Sequence, residues 1–130
     1  MGPIEDKPFI SIVDDDPAVR NAFRLLLDSV GLDAETFASA EEFLASPSVS
    51  ATTCLVLDVT MPGLDGLELQ RRLRASNWNR PIIFISAHAD QEVWTRAFEG
   101  GAAGVFVKPF SGKAMLDAIG AAIAAHPRSP

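Results

Sequence analysis

Cys54-Leu55-Val56-Leu57-Asp58 constrains this chain more than any other stretch: four apolar residues run unbroken into one carboxylate, and Pro62-Gly63 follows soon after. A strand with one face in water alternates apolar and polar positions. This one does not, so it is covered on both faces, as in a parallel sheet flanked by helices. The Pro-Gly turn then leaves Asp58 at the carboxyl end of the strand, carried into a loop. In open α/β sheets the ligand crevice lies beyond those carboxyl ends. That position makes Asp58 a candidate site residue and a poor choice for a merely solubilising charge.

The rest of the chain repeats the same unit. Phe9-Ile10-Ser11-Ile12-Val13 reads as a first strand, and it leaves through Asp14-Asp15-Asp16-Pro17, where Asp16 can cap a helix and Pro17 suits its first position. Val19, Ala22, Phe23, Leu26, Leu27 and Val30 recur at helical spacing, and Gly31 supplies a left-handed stop. Residues 32–37 alternate as a half-exposed edge strand would. Ser39-Ala40-Glu41-Glu42 is a capping box opening a short helix, with Phe43 and Leu44 turned inward. Residues 47–52 read as a loop leading into the central strand.

After that strand the pattern predicts a helix from about 66 to 74 anchored by Leu67, Leu69 and Leu73, then a loop at 76–81. Ile82-Ile83-Phe84-Ile85-Ser86 is a second fully apolar strand, and a helix over about 90–99 follows, closed by Gly100-Gly101. A fifth strand spans 104–109. The last helix starts at Ser111, with Met115, Leu116, Ile119, Ala122 and Ile123 on its apolar side. Five alternations of strand and helix predict a doubly wound, mostly parallel α/β sheet with right-handed connections. Residues 1–8 read as a flexible lead-in, 9–125 as one domain, and 126–130 as a Pro-containing tail or the start of a linker.

Composition narrows the function classes. No apolar run is long enough to span a bilayer, and the N-terminus lacks the basic and apolar regions of a signal peptide, so the cytoplasm is the expected address. Acidic residues outnumber basic ones 17 to 11, and the net charge of −6 disfavours nonspecific contact with nucleic acid. Arg71, Arg72 and Arg74, with Glu68 nearby, read as a solvated helix face. The single cysteine, Cys54, lies in an apolar strand with no cation beside it, and reads as a small core residue.

The polar residues at the strand ends carry the chemistry. The first strand delivers Asp14 and Asp15, the third Asp58, the fourth Ser86 and the fifth Lys108. Each alone has an ordinary explanation: a cap, a turn, a surface charge. Together they place three acids, one hydroxyl and one ammonium over one edge of the sheet. Two carboxylates about 4 Å apart repel by roughly 4 kcal/mol at an effective dielectric near 20, so converging acids require a countercharge. Lys108 supplies part of it. A hard divalent cation suits the remainder: Mg2+, with Mn2+ as a substitute. An Asp among such partners is expected to stay ionised at neutral pH and to act as a nucleophile toward phosphorus, with its product held by the metal, Ser86 and Lys108.

These residues resemble the CheY-like receiver domains of two-component response regulators. The resemblance rests on the acidic pair after the first strand, D-x-x-M-P-G after the third, Ser before Ala after the fourth and Lys-Pro after the fifth. It implies a flavodoxin-like (βα)5 sheet of order 2-1-3-4-5. It further implies Asp58 as phosphoacceptor, Asp14, Asp15, Asp58 and the backbone carbonyl of Thr60 as the metal site, and Ser86, Phe106 and Lys108 as the phosphoryl-binding and switch residues. A cis Lys108-Pro109 bond is also implied. Thr60 and His88 resemble positions that tune the lifetime of the phosphoryl group, although His88 reads equally well as an exposed loop residue.

The stretches at 14–20, 37–44 and 66–70 resemble receivers of the FixJ/NarL type, in which a helix-turn-helix DNA-binding output domain usually follows. The implied partners are a sensor histidine kinase, such an output domain or partner protein, and a phosphorylation-dependent second copy. Trp94 and Phe98, four apart on the fourth predicted helix, read either as part of that partner surface or as core. Two other readings fit less well. A haloacid dehalogenase-type hydrolase needs a second Asp two residues after the first, where this chain has Thr60. A phosphate-cofactor binder needs backbone N–H groups in the first loop, where this chain has three acids.

Overall fold

The computed structural model describes residues 7–88 and 90–126, so most of the lead-in and the tail at 127–130 lie outside the described residues. Five strands form one parallel sheet: β1 (Phe9–Val13), β2 (Asp33–Phe37), β3 (Cys54–Asp58), β4 (Ile82–Ser86) and β5 (Gly104–Val107). Their order is β2-β1-β3-β4-β5, the flavodoxin-like order expected from the resemblance. The helices are α1 (Pro17–Ser29), α2 (Ala40–Leu44), α3 (Ser48–Ala51), α4 (Gly66–Ala75), α5 (Gln91–Glu99) and α6 (Gly112–Ala125). The helices predicted as fourth and fifth are therefore α5 and α6.

The side-chain alternation of the strands divides the interior into two layers. Ile10, Ile12, Cys54, Val56, Ile83 and Ile85 face α1 and α6, where they meet Phe23, Leu27, Met115 and Ile119. Val13, Leu55, Leu57, Ile82 and Phe84 face the other way, onto Phe43, Leu67, Leu69, Leu73 and Ala97. β3 is buried at all five positions, which is why its sequence shows no period of two. β2, at the sheet edge, alternates exposed and covered positions. Burial pushes the Cys54 thiol up to about 12, so it stays protonated as a core residue.

Local chemistry sets the helix ends. Asp16 accepts from the Ala18 N–H and Pro17 occupies the first turn of α1. Gly31 takes the left-handed conformation at φ 75° and donates to Asp28 O. Ser39 accepts from Glu42 N–H, while the Glu42 carboxylate reaches back one residue further, to Ala38 N–H.

Several sequence expectations are corrected. Residues 47–52 contain the one-turn helix α3, which lets Trp78 Nε1 donate to Val49 O at 2.9 Å. Ala22, Val30 and Leu44 face solvent, because each helix presents only a narrow stripe to the sheet. β5 ends at Val107, two residues early. Lys108 N–H still bonds Ser86 O, but Pro109 has no N–H with which to extend the ladder.

Arg74 is not part of a solvated face. It is half-buried and donates to the carbonyls of Trp78, Arg80 and Gly100, tying the end of α4 to the end of α5. Burial pulls its pKa below the usual arginine value. Arg71 and Arg72 do lie exposed beside Glu68. On α5 the fully buried residue is Ala97, whereas Trp94 is half-buried and Phe98 is 51% exposed. No described helix is long and apolar enough to cross a membrane.

Candidate functional site

The sheet register brings the polar strand ends together. Val13 pairs with Leu57, so Asp14 and Asp58, the next residues, emerge side by side from β1 and β3. Alternation places both on the α1/α6 face, on the rows of Ile12 and Val56. Phe106 and Lys108 follow the same parity on β5 and its continuation. Lys108 Nζ lies 3.0 Å from Asp14 Oδ2 and 3.6 Å from Asp58 Oδ2. Both acids are buried and Lys108 is partly covered, so this is a desolvated group of two anions and one cation.

Asp15 is exposed, yet one of its carboxylate oxygens lies within 4.8 Å of ligand oxygens from Asp14 and Asp58. Three converging oxygen donors suit a hard cation. Asp14 adds a second sign: its Oδ2 is fully enclosed and receives no hydrogen bond among the described residues, its contact with Lys108 being an ion pair without hydrogen-bond direction. The residues present therefore fit a divalent ion such as Mg2+.

The electrostatics follow from this geometry. Burial pushes the Asp58 carboxyl up from 3.8 to about 7, and the neighbouring Asp14 adds to the rise; Lys108 and the Thr60 N–H oppose it. For Lys108, burial acts to lower the pKa, but its contact with Asp14 and the charges of Asp14, Asp58 and Asp16 leave it above the usual lysine value. Lys108 is thus firmly charged. Asp58 is poised between its two forms near neutrality.

The other predicted residues stand at different distances from this centre. The Thr60 N–H donates to Asp58 Oδ1 at 3.2 Å, and the Thr60 side chain faces solvent. Ser86 is buried, but parity puts it on the row of Ile82 and Phe84, the opposite face from Asp58. Its Oγ is engaged by His88, donating to the carbonyl at 2.8 Å and accepting from the N–H at 3.1 Å. The exposed His88 contributes its backbone there. Phe106 is half-buried, edge-on to Phe110 at 6.1 Å, and Phe110 in turn lies 5.4 Å from Phe23 of α1. The Lys108-Pro109 peptide is cis.

Three further residues support the site, and sequence reasoning passed over them. Arg20 donates from Nη1 to the Asp14 carbonyl at 2.8 Å. Glu41 accepts from Leu64 N–H at 3.1 Å, bracing the loop after Asp58 from α2. Gly66 packs so tightly against the strand end that a Cβ would sit 2.3 Å from Asp58 O. All three lie in the stretches that carried the resemblance, Glu41 in a capping box and Gly66 at a helix start, but nothing local in the sequence shows what they touch. Gly66→Ala is expected to lower stability by about 3 kcal/mol, because backbone must move on both sides. Urea unfolding checks this, and an unchanged midpoint would show that α4 is free to shift.

Comparisons with known proteins agree with this architecture. The family model for the response regulator receiver domain matches residues 10–120. Nodulation protein W of Bradyrhizobium diazoefficiens is 44% identical over 116 residues, which cover 89% of this chain and 51% of that protein. Response regulator protein TodT of Pseudomonas putida is 44% identical over 119 residues, 92% of this chain and 52% of that one. The crystal structure of FixJ-N superposes with a TM-score of 0.84 at 31% identity, covering 96% of this chain and 99% of the other. The chain spans about half the length of the curated relatives it matches. With the family match extending from β1 into α6, this chain belongs to the response regulator receiver domains of two-component systems.

Proposed function

We propose that Asp58 is the phosphoacceptor of this domain, taking a phosphoryl group from the phosphohistidine of a sensor histidine kinase in the cytoplasm. One observation carries this reading: Asp58 ends the fully buried central strand in a desolvated pocket shared with Asp14 and Lys108. A carboxylate oxygen of Asp58 attacks phosphorus, the P–N bond breaks, and the imidazole keeps the electron pair. Lys108 holds Asp58 in its nucleophilic form and faces the oxygens of the incoming group. Thr60 N–H orients the carboxylate through Oδ1.

Asp14, Asp15, Asp58 and the Thr60 backbone carbonyl would hold Mg2+, or Mn2+ in its place. When bound, the ion supplies positive charge against the phosphoryl oxygens. Ser86 must release His88 to reach the phosphoryl group, and Phe106 follows it inward. That change is read on the face made by α5, β5 and α6. A decisive switch needs about 5.5 kcal/mol of preference for the active state. Thr60 and His88 set how long the phosphoryl group survives. The read-out passes to an output domain outside residues 9–125, a partner protein or a second copy of the receiver.

The test is incubation with a small acyl phosphate or phosphoramidate and MgCl2. The expected product carries one acid-labile phosphoryl group on the peptide containing Asp58, and chelation of the ion prevents it. A stable adduct on any other residue would overturn the assignment.

A further inference from the structure

Asp14 is hydrogen-bonded at three of its polar atoms and ion-paired at the fourth, Oδ2. Its N–H donates to Phe37 O at 3.1 Å, its Oδ1 accepts from Asp16 N–H at 2.9 Å, and its Oδ2 faces Lys108 Nζ at 3.0 Å. The remaining atom is the carbonyl oxygen. The β1 pairings end at Val13, with Phe37 on one side and Leu57 on the other, so this carbonyl lies past the last registered pair. Arg20, one turn into α1, donates to it at 2.8 Å. A side chain thus takes the place of the missing ladder partner.

That carbonyl belongs to the planar peptide unit that joins Asp14 to Asp15. Fixing its direction fixes how the two acids diverge from the chain. Asp14 has other anchors, but the exposed Asp15 carboxylate makes no hydrogen bond or ion pair among the described residues. Its direction is inherited from the peptide that Arg20 holds. Arg20 likewise forms no ion pair among the described residues, despite following three acids in sequence. The guanidinium therefore acts on backbone geometry.

We propose that Arg20 is a positioning residue for the divalent-cation site: it locks the Asp14-Asp15 peptide so that both carboxylates converge with Asp58. The inference rests on the reading of those acids as the Mg2+ ligands. The sign of the effect separates it from simple electrostatics. Removing a nearby cation tightens cation binding by Coulomb's law, whereas loss of positioning weakens it.

The experiment is calorimetric titration of MgCl2 into the unphosphorylated chain and into Arg20→Met and Arg20→Lys, with circular dichroism confirming each fold. Arg20→Met keeps the length and helix propensity but drops the donor, and it should raise the half-saturating Mg2+ concentration about tenfold. Arg20→Lys, which can still donate to the carbonyl, should recover most of the loss. In phosphodonor assays the half-saturating Mg2+ concentration should rise in step, while the labelling rate at saturating Mg2+ stays near that of the unsubstituted chain.

Equal or tighter binding by Arg20→Met overturns the proposal, as does a lower saturated rate at an unchanged Mg2+ requirement. Arg20→Gln provides a second neutral variant should the Met protein fail to fold, with the same weakening expected. Saturable binding that Asp58→Asn removes but Arg20→Met leaves intact sinks this proposal alone. No saturable binding by the unsubstituted chain removes the metal reading itself, and this proposal with it.

Discussion

Asp58→Asn should abolish phosphoryl incorporation and, in the absence of divalent ions, make the fold more stable at neutral pH. The amide is not a nucleophile toward phosphorus, so labelling falls to background under conditions that label the unsubstituted chain fully. The gain in stability follows from the raised carboxyl. Asp58 moves from 3.8 in the unfolded chain to about 7 in the fold, chiefly by burial and then by Asp14. Below pH 4 both states carry the proton and Asp58 adds no pH dependence. Between about 4 and 7 the unfolded chain loses the proton and the fold keeps it. Stability therefore falls as pH rises, by about 1.4 kcal/mol per pH unit at most, and levels off above 7.

Urea unfolding from pH 4 to 8 in chelator should show that decline in the unsubstituted chain and a flatter profile in Asp58→Asn. Adding MgCl2 should flatten the unsubstituted profile as well, since a cation that binds the ionised form stabilises the fold by mass action. A decline that survives in Asp58→Asn would place the raised group elsewhere.

Lys108→Met should produce the second large effect. The ammonium is the countercharge to both buried acids, at 3.0 and 3.6 Å, and its removal leaves them facing each other without relief. Breaking one partner of such a buried group costs about 3 kcal/mol at neutral pH. The cost should shrink toward pH 4, where Asp58 carries its proton and the repulsion is relieved. Asp58 also loses the main influence holding its pKa down, so more of it is protonated at pH 7 and labelling slows. A reduction on the order of 100-fold is expected at neutral pH, partly recovered at pH 8 to 9, where the carboxylate returns. A labelling rate unchanged at pH 7 would show that Lys108 balances charge without serving the transfer. Equal losses of stability at pH 4 and pH 8 would assign its contribution to packing of the stem.

The elements legible in the chain are those whose signal is local. An unbroken apolar run marks a strand covered on both faces, and β3 and β4 are buried at all five positions. Asp16, Ser39 and Ser111 announced helix starts because a cap needs only the next two or three N–H groups. Gly31 announced a stop because few other residues enter the left-handed region easily. Burial of a particular side chain was less legible. Leu44 and Phe98 have the composition of core residues but lie on exposed helix faces, and Val30 is exposed where it caps α1. Arg74 looked like a surface charge and is a half-buried clamp, because it joins the carbonyls of Trp78 and Arg80 just after its own helix to that of Gly100, 26 residues away.

The site divides along the same line. That Asp14, Asp15, Asp58, Ser86 and Lys108 occur at strand ends is a property of the sequence, since each ends an apolar run or follows one within two residues. The strand order was inferred from resemblance, because periodicity carries no information about which strands neighbour one another. Tertiary structure decided the rest. Register set Asp14 beside Asp58, and parity sent Ser86 to the opposite row. Lys108 reached both acids from beyond the edge strand, and Arg20 from the next helix. Chain order tells which residue stands at the end of each strand. Distance, and with it the desolvation and charge coupling that lift Asp58 to about 7, exists only once the sheet has assembled.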